Sequence, residues 1–345
     1  MIEPFSSLQL FREEFNRGLL RLAEHGGLGP FILACANASF EHLFDRFRPV
    51  LQQQYESLYQ QYRDAFLNGI NLDVVDEDLL VFLKLHAIGF DNITTSKMRN
   101  EGVWKLQFNH LRSFRPRRIT QFVHQGMSQP FDEDAFNFNK PFMARECFWQ
   151  GKLLGRDVDL FYNKYPFADL HGLLVPERQQ NIPQLLAEQD HDYVFQLCEI
   201  LQHSLPGVGF GYNSYGAYAS VNHQHFQMFL DQEGLPVTDP VWRHNGGDRD
   251  YPAHCYAFAD ARSSWQFIRR LHERQQPYNL LYLPDRVYVY PRRTQGSVAV
   301  PAWSSGLTWY ELSGVMICFN SADFEQISTK EIEKRLFELR VDGKL

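Results

Sequence analysis

The sequence predicts an α+β protein in which a helical region precedes a strand-rich one. Apolar residues recur at helical spacing through about the first 95 residues, and from Val103 onward short apolar runs alternate with turn residues. A strand–turn–strand pattern also occurs twice, over residues 160–176 and again over 278–291, as a faint internal duplication. Runs of helices followed by runs of strands place the chain in the α+β class, with a helical region at 1–95 and a chemistry-bearing domain at 96–345.

Ser6 with Gln9 three residues on has the form of a capping box, and Leu8, Phe11, Phe15, Leu19 and Leu22 then keep one helix face until Gly26 and Gly27. A second helix is expected to begin near Pro49, a favoured first-turn residue, and to carry Leu51, Tyr55, Leu58, Tyr62 and Phe66 on one face. Asp76 is the expected cap of a third, through Leu79, Phe82 and Leu83. Nothing in this part carries chemistry, and its aromatic stripe reads as core. Residues 103–108 read as a strand. The cluster Arg112, Arg115, Arg117 and Arg118 reads as a solvated loop on charge alone, with phosphate contact as its functional alternative.

In Phe136-Asn137-Phe138-Asn139-Lys140 amides alternate with rings, so a strand here presents one apolar side and one amide side, suited to a ribose or base edge, and Lys140 suits a phosphate. An ordinary edge strand has the same pattern. Asn163 ends the first strand of the earlier hairpin and His171 opens the second; a helix is expected over residues 190–201. Helices are also expected over 262–275 and 329–340.

With 345 residues the chain can bury a sizeable core, and a hydrophobic share of 44% with 22% charged residues is that of a globular protein. A net charge of -7 argues against a general nucleic-acid binder but leaves room for a small anionic substrate. Five scattered cysteines without a C-x-x-C pair read as reduced thiols of a cytoplasmic protein, and no run of about 18 apolar residues suggests a membrane span.

Asn222-His223-Gln224-His225-Phe226-Gln227 follows a Gly- and hydroxyl-rich stretch that includes Asn213, Ser214 and Gly216. If the stretch is extended, His223, His225 and Gln227 share one face. Such a row suits a metal pair with a third ligand elsewhere, His171 or His254 being candidates, or an acid/base pair, or a nucleophilic imidazole beside a bound phosphate. Two histidines on a strand face also serve simply as packing. The glycines favour the nucleophile, because they let backbone N–H groups close around phosphate oxygens.

The order of these elements resembles the histidine triad superfamily, and the terminal Gln with the doubled hairpin resembles its galactose-1-phosphate uridylyltransferase branch. Gln129-Pro130-Phe131-Asp132, Phe136-Asn137-Phe138-Asn139-Lys140, Gly211-Tyr212-Asn213-Ser214-Tyr215-Gly216-Ala217, the His-x-His-x-Gln stretch and Trp309-Tyr310-Glu311-Leu312-Ser313-Gly314 are similar, in the same order, to the GDP-L-galactose and GDP-D-glucose phosphorylases. The resemblance covers roughly residues 103–340. It implies an antiparallel, half-barrel sheet with flanking helices, and phosphorolysis of a GDP-hexose to GDP and hexose 1-phosphate. His225 carries over as the nucleophile that forms a guanylyl-histidine, His223 as its orienting neighbour and Gln227 as a contact to the transferred phosphoryl group. Asn163, His171, Asn213, Ser214, Gly216, Asn137, Asn139, Lys140 and Arg112 carry over as substrate contacts. Partners are a nucleotide sugar and inorganic phosphate, with neither nucleic acid nor membrane, and a homodimer is one assembly the resemblance admits. No metal or other cofactor is expected, and the usual zinc ligands of the uridylyltransferases have no counterpart. The same nucleophile serves a dinucleoside polyphosphate phosphorylase or a hexose-1-phosphate nucleotidylyltransferase. A nucleotide-sugar binding protein without turnover is the rival from another class.

Overall fold

The computed structural model describes residues 3–115 and 126–343. Leu8–His25 (α1) is capped by Ser7, whose Oγ accepts the Leu10 N–H at 3.2 Å. The expected capping box at Ser6 does not form, because Gln9 bonds forward to Glu13. Leu28–Ala38 (α2) escaped the periodic reading because it is apolar on nearly every side and almost wholly buried, which erases the 3.6-residue signal. Glu41–Leu67 (α3) starts well before Pro49 and carries that proline inside it. Asp78–Lys164 pairing anchors Asp76–Ile88 (α4), in which Val75 takes the cap place and Asp76 opens the first turn. Among the described residues no helix is long and apolar enough to cross a membrane.

Lys97–Glu101 (β1) and Trp104–Phe108 (β2) form a hairpin, followed by the short helix His110–Ser113 (α5). Cys147–Leu153 (β3), Arg156–Tyr162 (β4) and Asp169–Pro176 (β5) form a meander. Glu188–Leu201 (α6) leads to Val208–Asn213 (β6) and Phe226–Leu230 (β7). Tyr256–Phe258 (β8), Ala261–Glu273 (α7) and the second hairpin, Tyr278–Leu283 (β9) with Arg286–Pro291 (β10), follow. The chain closes with Trp309–Leu312 (α8), Val315–Cys318 (β11), Ser321–Gln326 (α9) and Thr329–Glu338 (α10).

Eight strands make one sheet in the order β3-β4-β5-β7-β6-β9-β10-β8, every pair antiparallel, and β11 joins β2 in parallel to make a second sheet of three. The two hairpins expected from sequence therefore flank the central pair β7-β6. Along β7 the strand period divides the side chains. Phe226 and Met228 enter the core shared with α6 and the N-terminal helices, whereas Phe229 enters a second core with Trp309 and Trp104. The N-terminal helices pack into the larger core, with Phe15 set edge-on to both Phe148 and Tyr162.

Two expectations about the central region are corrected. Residues 136–139 are a loop and turn, because Asn137 turns its amide onto the carbonyls of Glu133 and Ala135 and accepts the Asn139 N–H. His223 and His225 lie in the bend before β7, so only Gln227 of the row is on the strand.

Candidate active site

His225 sits at the last residue before β7, 6% exposed, with Phe138 edge-on to its ring at 5.3 Å. Its Nδ1 lies 2.8 Å from the His223 carbonyl oxygen, which only accepts, so Nδ1 carries the proton. Nε2 makes no hydrogen bond among the described residues and carries the ring's lone pair. Burial holds the ring well below the ordinary histidine range, at about 4. The arrangement is a neutral imidazole with one nitrogen fixed and the other free.

His223 is occupied at both nitrogens: Nδ1 accepts the Phe138 N–H at 3.3 Å, and Nε2–H donates to the Arg178 carbonyl at 3.0 Å. It therefore fastens the Phe138 loop to the segment after β5. It does not turn a second ligand atom toward His225, and His254 is bonded to the Val341 carbonyl, so the metal-pair geometry is not assembled from these groups. Arg178 completes the clasp. Its guanidinium bonds Asp159, the Phe138 carbonyl and Asn139 Oδ1, while Asn139 Nδ2 reaches the Arg178 carbonyl and Asn181. Asn137 and Asn139 thus shape this loop, and Lys140 bonds the Glu133 and Asp134 carbonyls.

A second group gathers one strand away. Asn163 Nδ2 lies 3.2 Å from His171 Nε2, and the Phe167 N–H points at His171 Nδ1. Burial first, then the Arg112 charge, push His171 down to about 3, against a hydrogen bond to Gln227 that favours the protonated ring. Arg112 is itself buried: it donates to the Tyr165 carbonyl and lies over the Phe167 ring at 4.8 Å, leaving Nε without a partner. Asn37, Gln107 and Asn109 hold the carbonyls of Asn163, Phe167 and Pro166, so Arg112 is one of four side chains that fix the loop carrying Asn163. Pro116, Arg117 and Arg118 of the basic cluster lie outside the described residues.

Gln227 links the two groups. Indole nitrogen can only donate, so the 2.9 Å bond from Trp309 Nε1 identifies the near atom of Gln227 as its carbonyl oxygen and turns the amide NH₂ away from the tryptophan. The upstream turn is built for packing as much as for ligand. Asn213 Oδ1 takes the Asn279 amide at 2.6 Å, Ser214 Oγ accepts the Tyr278 N–H at 3.0 Å, and Gly216 has φ 84. Gly209 and Gly211 belong to β6 and leave room for Phe229 and Trp309, not for a phosphate. Sequence reading missed Arg178 and Gln184, which lie outside the motifs. Trp309 belongs to the 309–314 stretch that carries the resemblance, where its spacing signals no role.

The depressed histidines have a consequence for stability. His171 titrates at about 3 and His191, His223, His225 and His272 at about 4, each displaced mainly by burial. The unfolded chain takes up these protons near pH ~6.5, where the folded chain refuses them, so the unfolded state binds more protons between those values. Stability therefore falls as pH drops from about 6.5 toward 4. Thermal melts by circular dichroism are expected to lose their midpoint progressively through that window, the five histidines outweighing Glu146, which burial raises to about 7; a midpoint level down to pH ~4 would contradict the burial argument.

Residues 91–229 match the family model described as GDPGP1-like, N-terminal domain. The chain is 34% identical to GDP-D-glucose phosphorylase 1 of Homo sapiens over 128 residues, covering 35% of this chain and 32% of that protein. It is 29% identical to GDP-L-galactose phosphorylase 2 of Arabidopsis thaliana over 269 residues, 65% of this chain and 61% of that one. The matches thus span about a third of the length of the mammalian relatives. Among solved structures, yeast Ap4A phosphorylase Apa2 shares the fold with a TM-score of 0.51 at 15% identity, over 79% of this chain and 98% of that chain.

Proposed function

We propose, from the premise that residues 91–229 are a GDPGP1-like domain in a distant homologue of the GDP-D-glucose and GDP-L-galactose phosphorylases, that this protein is a GDP-hexose phosphorylase acting through His225. The observation that carries the reading is the neutral His225 ring, with Nδ1–H tied to a carbonyl and Nε2 free. Nε2 attacks the α-phosphorus of the GDP-sugar and the bond to the bridging oxygen breaks, releasing hexose 1-phosphate. The imidazole becomes cationic as the N–P bond forms, and the His223 carbonyl accepts the strengthened Nδ1–H bond. Inorganic phosphate then attacks the guanylyl-histidine, giving GDP and restoring the neutral ring. The Gln227 NH₂ donates to a non-bridging oxygen whose charge grows in both transfers. Asn163, on the loop after β4, and His171, on β5, serve the nucleotide. The five cysteines are all free, in keeping with a cytoplasmic reaction.

A panel of GDP-glucose, GDP-galactose, GDP-mannose, UDP-glucose and diadenosine tetraphosphate, each with and without phosphate, tests the reading by separation of the nucleotide products. Phosphate-dependent GDP from a GDP-hexose is expected. Product from diadenosine tetraphosphate alone would move the chain to the activity named for the yeast protein of like fold, and product from UDP-glucose with a sugar phosphate to a nucleotidylyltransferase. Binding without product would leave a nucleotide-sugar binding protein.

Two results follow for kinetics. Because a protonated imidazole has no lone pair, kcat/KM should stay level as pH falls until it drops toward the His225 value of about 4. A fall already complete at pH ~6 would show that the nucleophile is not this buried ring. Trp309→Phe removes the donor that orients Gln227, and kcat is expected to fall about 10-fold, the worth of one hydrogen bond. Unchanged kcat in a folded Trp309→Phe protein would show that Gln227 needs no such orientation.

A further inference from the structure

The ladder between β6 and β7 ends at the Gly211–Gln227 pair, although β6 itself runs on to Asn213 against β9. Extending the antiparallel register by two residues would set His225 opposite Asn213, with a backbone bond between them. The Gln184 side chain stands there instead. Its Oε1 accepts the His225 N–H at 2.9 Å, and its Nε2 donates to the Asn213 carbonyl at 3.1 Å and to the His225 carbonyl at 3.2 Å. Gln184 is 1% exposed. Its own N–H goes to Asn222 Oδ1 at 3.0 Å, its carbonyl takes the Tyr212 hydroxyl, and the neighbouring Ile182 carbonyl takes the Gln224 N–H. Gln184 and the motif thus hold each other by backbone and side chain together.

We infer that Gln184 is the positioning residue of the nucleophile: its carboxamide replaces one peptide group of the sheet, splays β7 from β6, and so frees His225 from strand geometry to bring Nδ1 onto the His223 carbonyl. A strand residue continuing the β6–β7 ladder would have its N–H and C=O committed to the neighbouring strand. With the carboxamide inserted, the His225 N–H and C=O and the Asn213 C=O are satisfied at a wider spacing. Only an amide fits, because the site asks for one acceptor and two donated bonds at the two ends of one planar group. The buried carboxylate of Asp190 belongs to the same network, and it is occupied by Gln224 and Arg156.

The inference rests on the proposed phosphorolysis, and its tests separate the two. Gln184→Met keeps the length and removes every bond; kcat is expected to fall about 100-fold with KM within a few-fold, as for a misplaced reacting group. Gln184→Glu supplies only acceptors when ionised but regains a donor when protonated. Its deficit relative to wild type should therefore shrink as pH falls from about 8 to 5.5, whereas a merely structural loss would not recover with acid. Nitrogen NMR on histidine-labelled protein reads the ring without any turnover: His225 should be the Nδ1–H tautomer in wild type and should exchange between tautomers in Gln184→Met. Wild-type kcat in Gln184→Met, a pH-independent deficit in Gln184→Glu, or an unchanged tautomer in Gln184→Met would each overturn the inference. Absence of phosphorolysis by the wild-type protein, with the tautomer change still present, would instead sink the functional reading alone.

Discussion

His225→Ala is expected to abolish phosphorolysis, lowering kcat by at least about 10⁴-fold, because the change removes the atom that forms the covalent intermediate in the proposed mechanism. The fold should survive. Its backbone N–H and carbonyl remain bonded to Gln184, and what the ring loses is contact with Phe138 and the bond to the His223 carbonyl. That truncation should cost about 1–3 kcal/mol, and a cooperative thermal transition should persist. Incubation with a GDP-hexose labelled in the α-phosphate should leave label on wild-type protein after acid-free denaturation and none on the variant. Turnover at the wild-type rate in a folded His225→Ala protein would remove the mechanism.

Gly211→Ala should be the most damaging methyl group in the central strand. A Cβ there would stand 2.0 Å from Trp309 Cε2 and 2.3 Å from Nε1, and the indole is fully buried against Phe229 and Tyr310. Neither the strand, paired on both sides, nor the ring has room to yield, so a loss of about 3 kcal/mol is expected. Displacing the indole also takes its N–H from Gln227, so activity should fall further than unfolding alone explains. Gly172→Ala is the control, since its Cβ would meet nothing closer than 3.5 Å and its backbone lies outside the positive-φ region. Equal melting temperatures for the two variants would show that the Gly211 contact relaxes freely.

Much of this site was legible because its residues are close in the chain and their backbone repeats are regular. The His-x-His-x-Gln spacing, the two hairpins and the helices α1, α6, α7 and α10 follow from periods of two and 3.6 residues, which any short stretch displays on its own. The same reasoning failed where a period was absent or misleading. α2 is apolar all round and shows no face, Pro49 looked like a helix start although it lies within α3, and alternating Phe and Asn at 136–139 looked like a strand. In that last case the Asn137 side chain competes successfully for the local backbone groups and makes a turn.

The residue types present, and a His-x-His-x-Gln row lying between two like hairpins, were determined by the sequence itself. The division of labour was not. That His223 is locked at both nitrogens while His225 keeps one free depends on Arg178 and Phe138 arriving from 45 and 85 residues away. Trp309, which turns the Gln227 amide, is 82 residues from it, and Gln184 meets His225 across 41. Bonds of this kind leave no periodic trace in a sequence, because each joins one side chain to one backbone or amide group that only the sheet topology brings within 3.3 Å. Tertiary structure therefore decided that the two histidines leave the strand, that the glycines of β6 admit rings, and that the Gln184 carboxamide, not the ladder, bonds the His225 backbone.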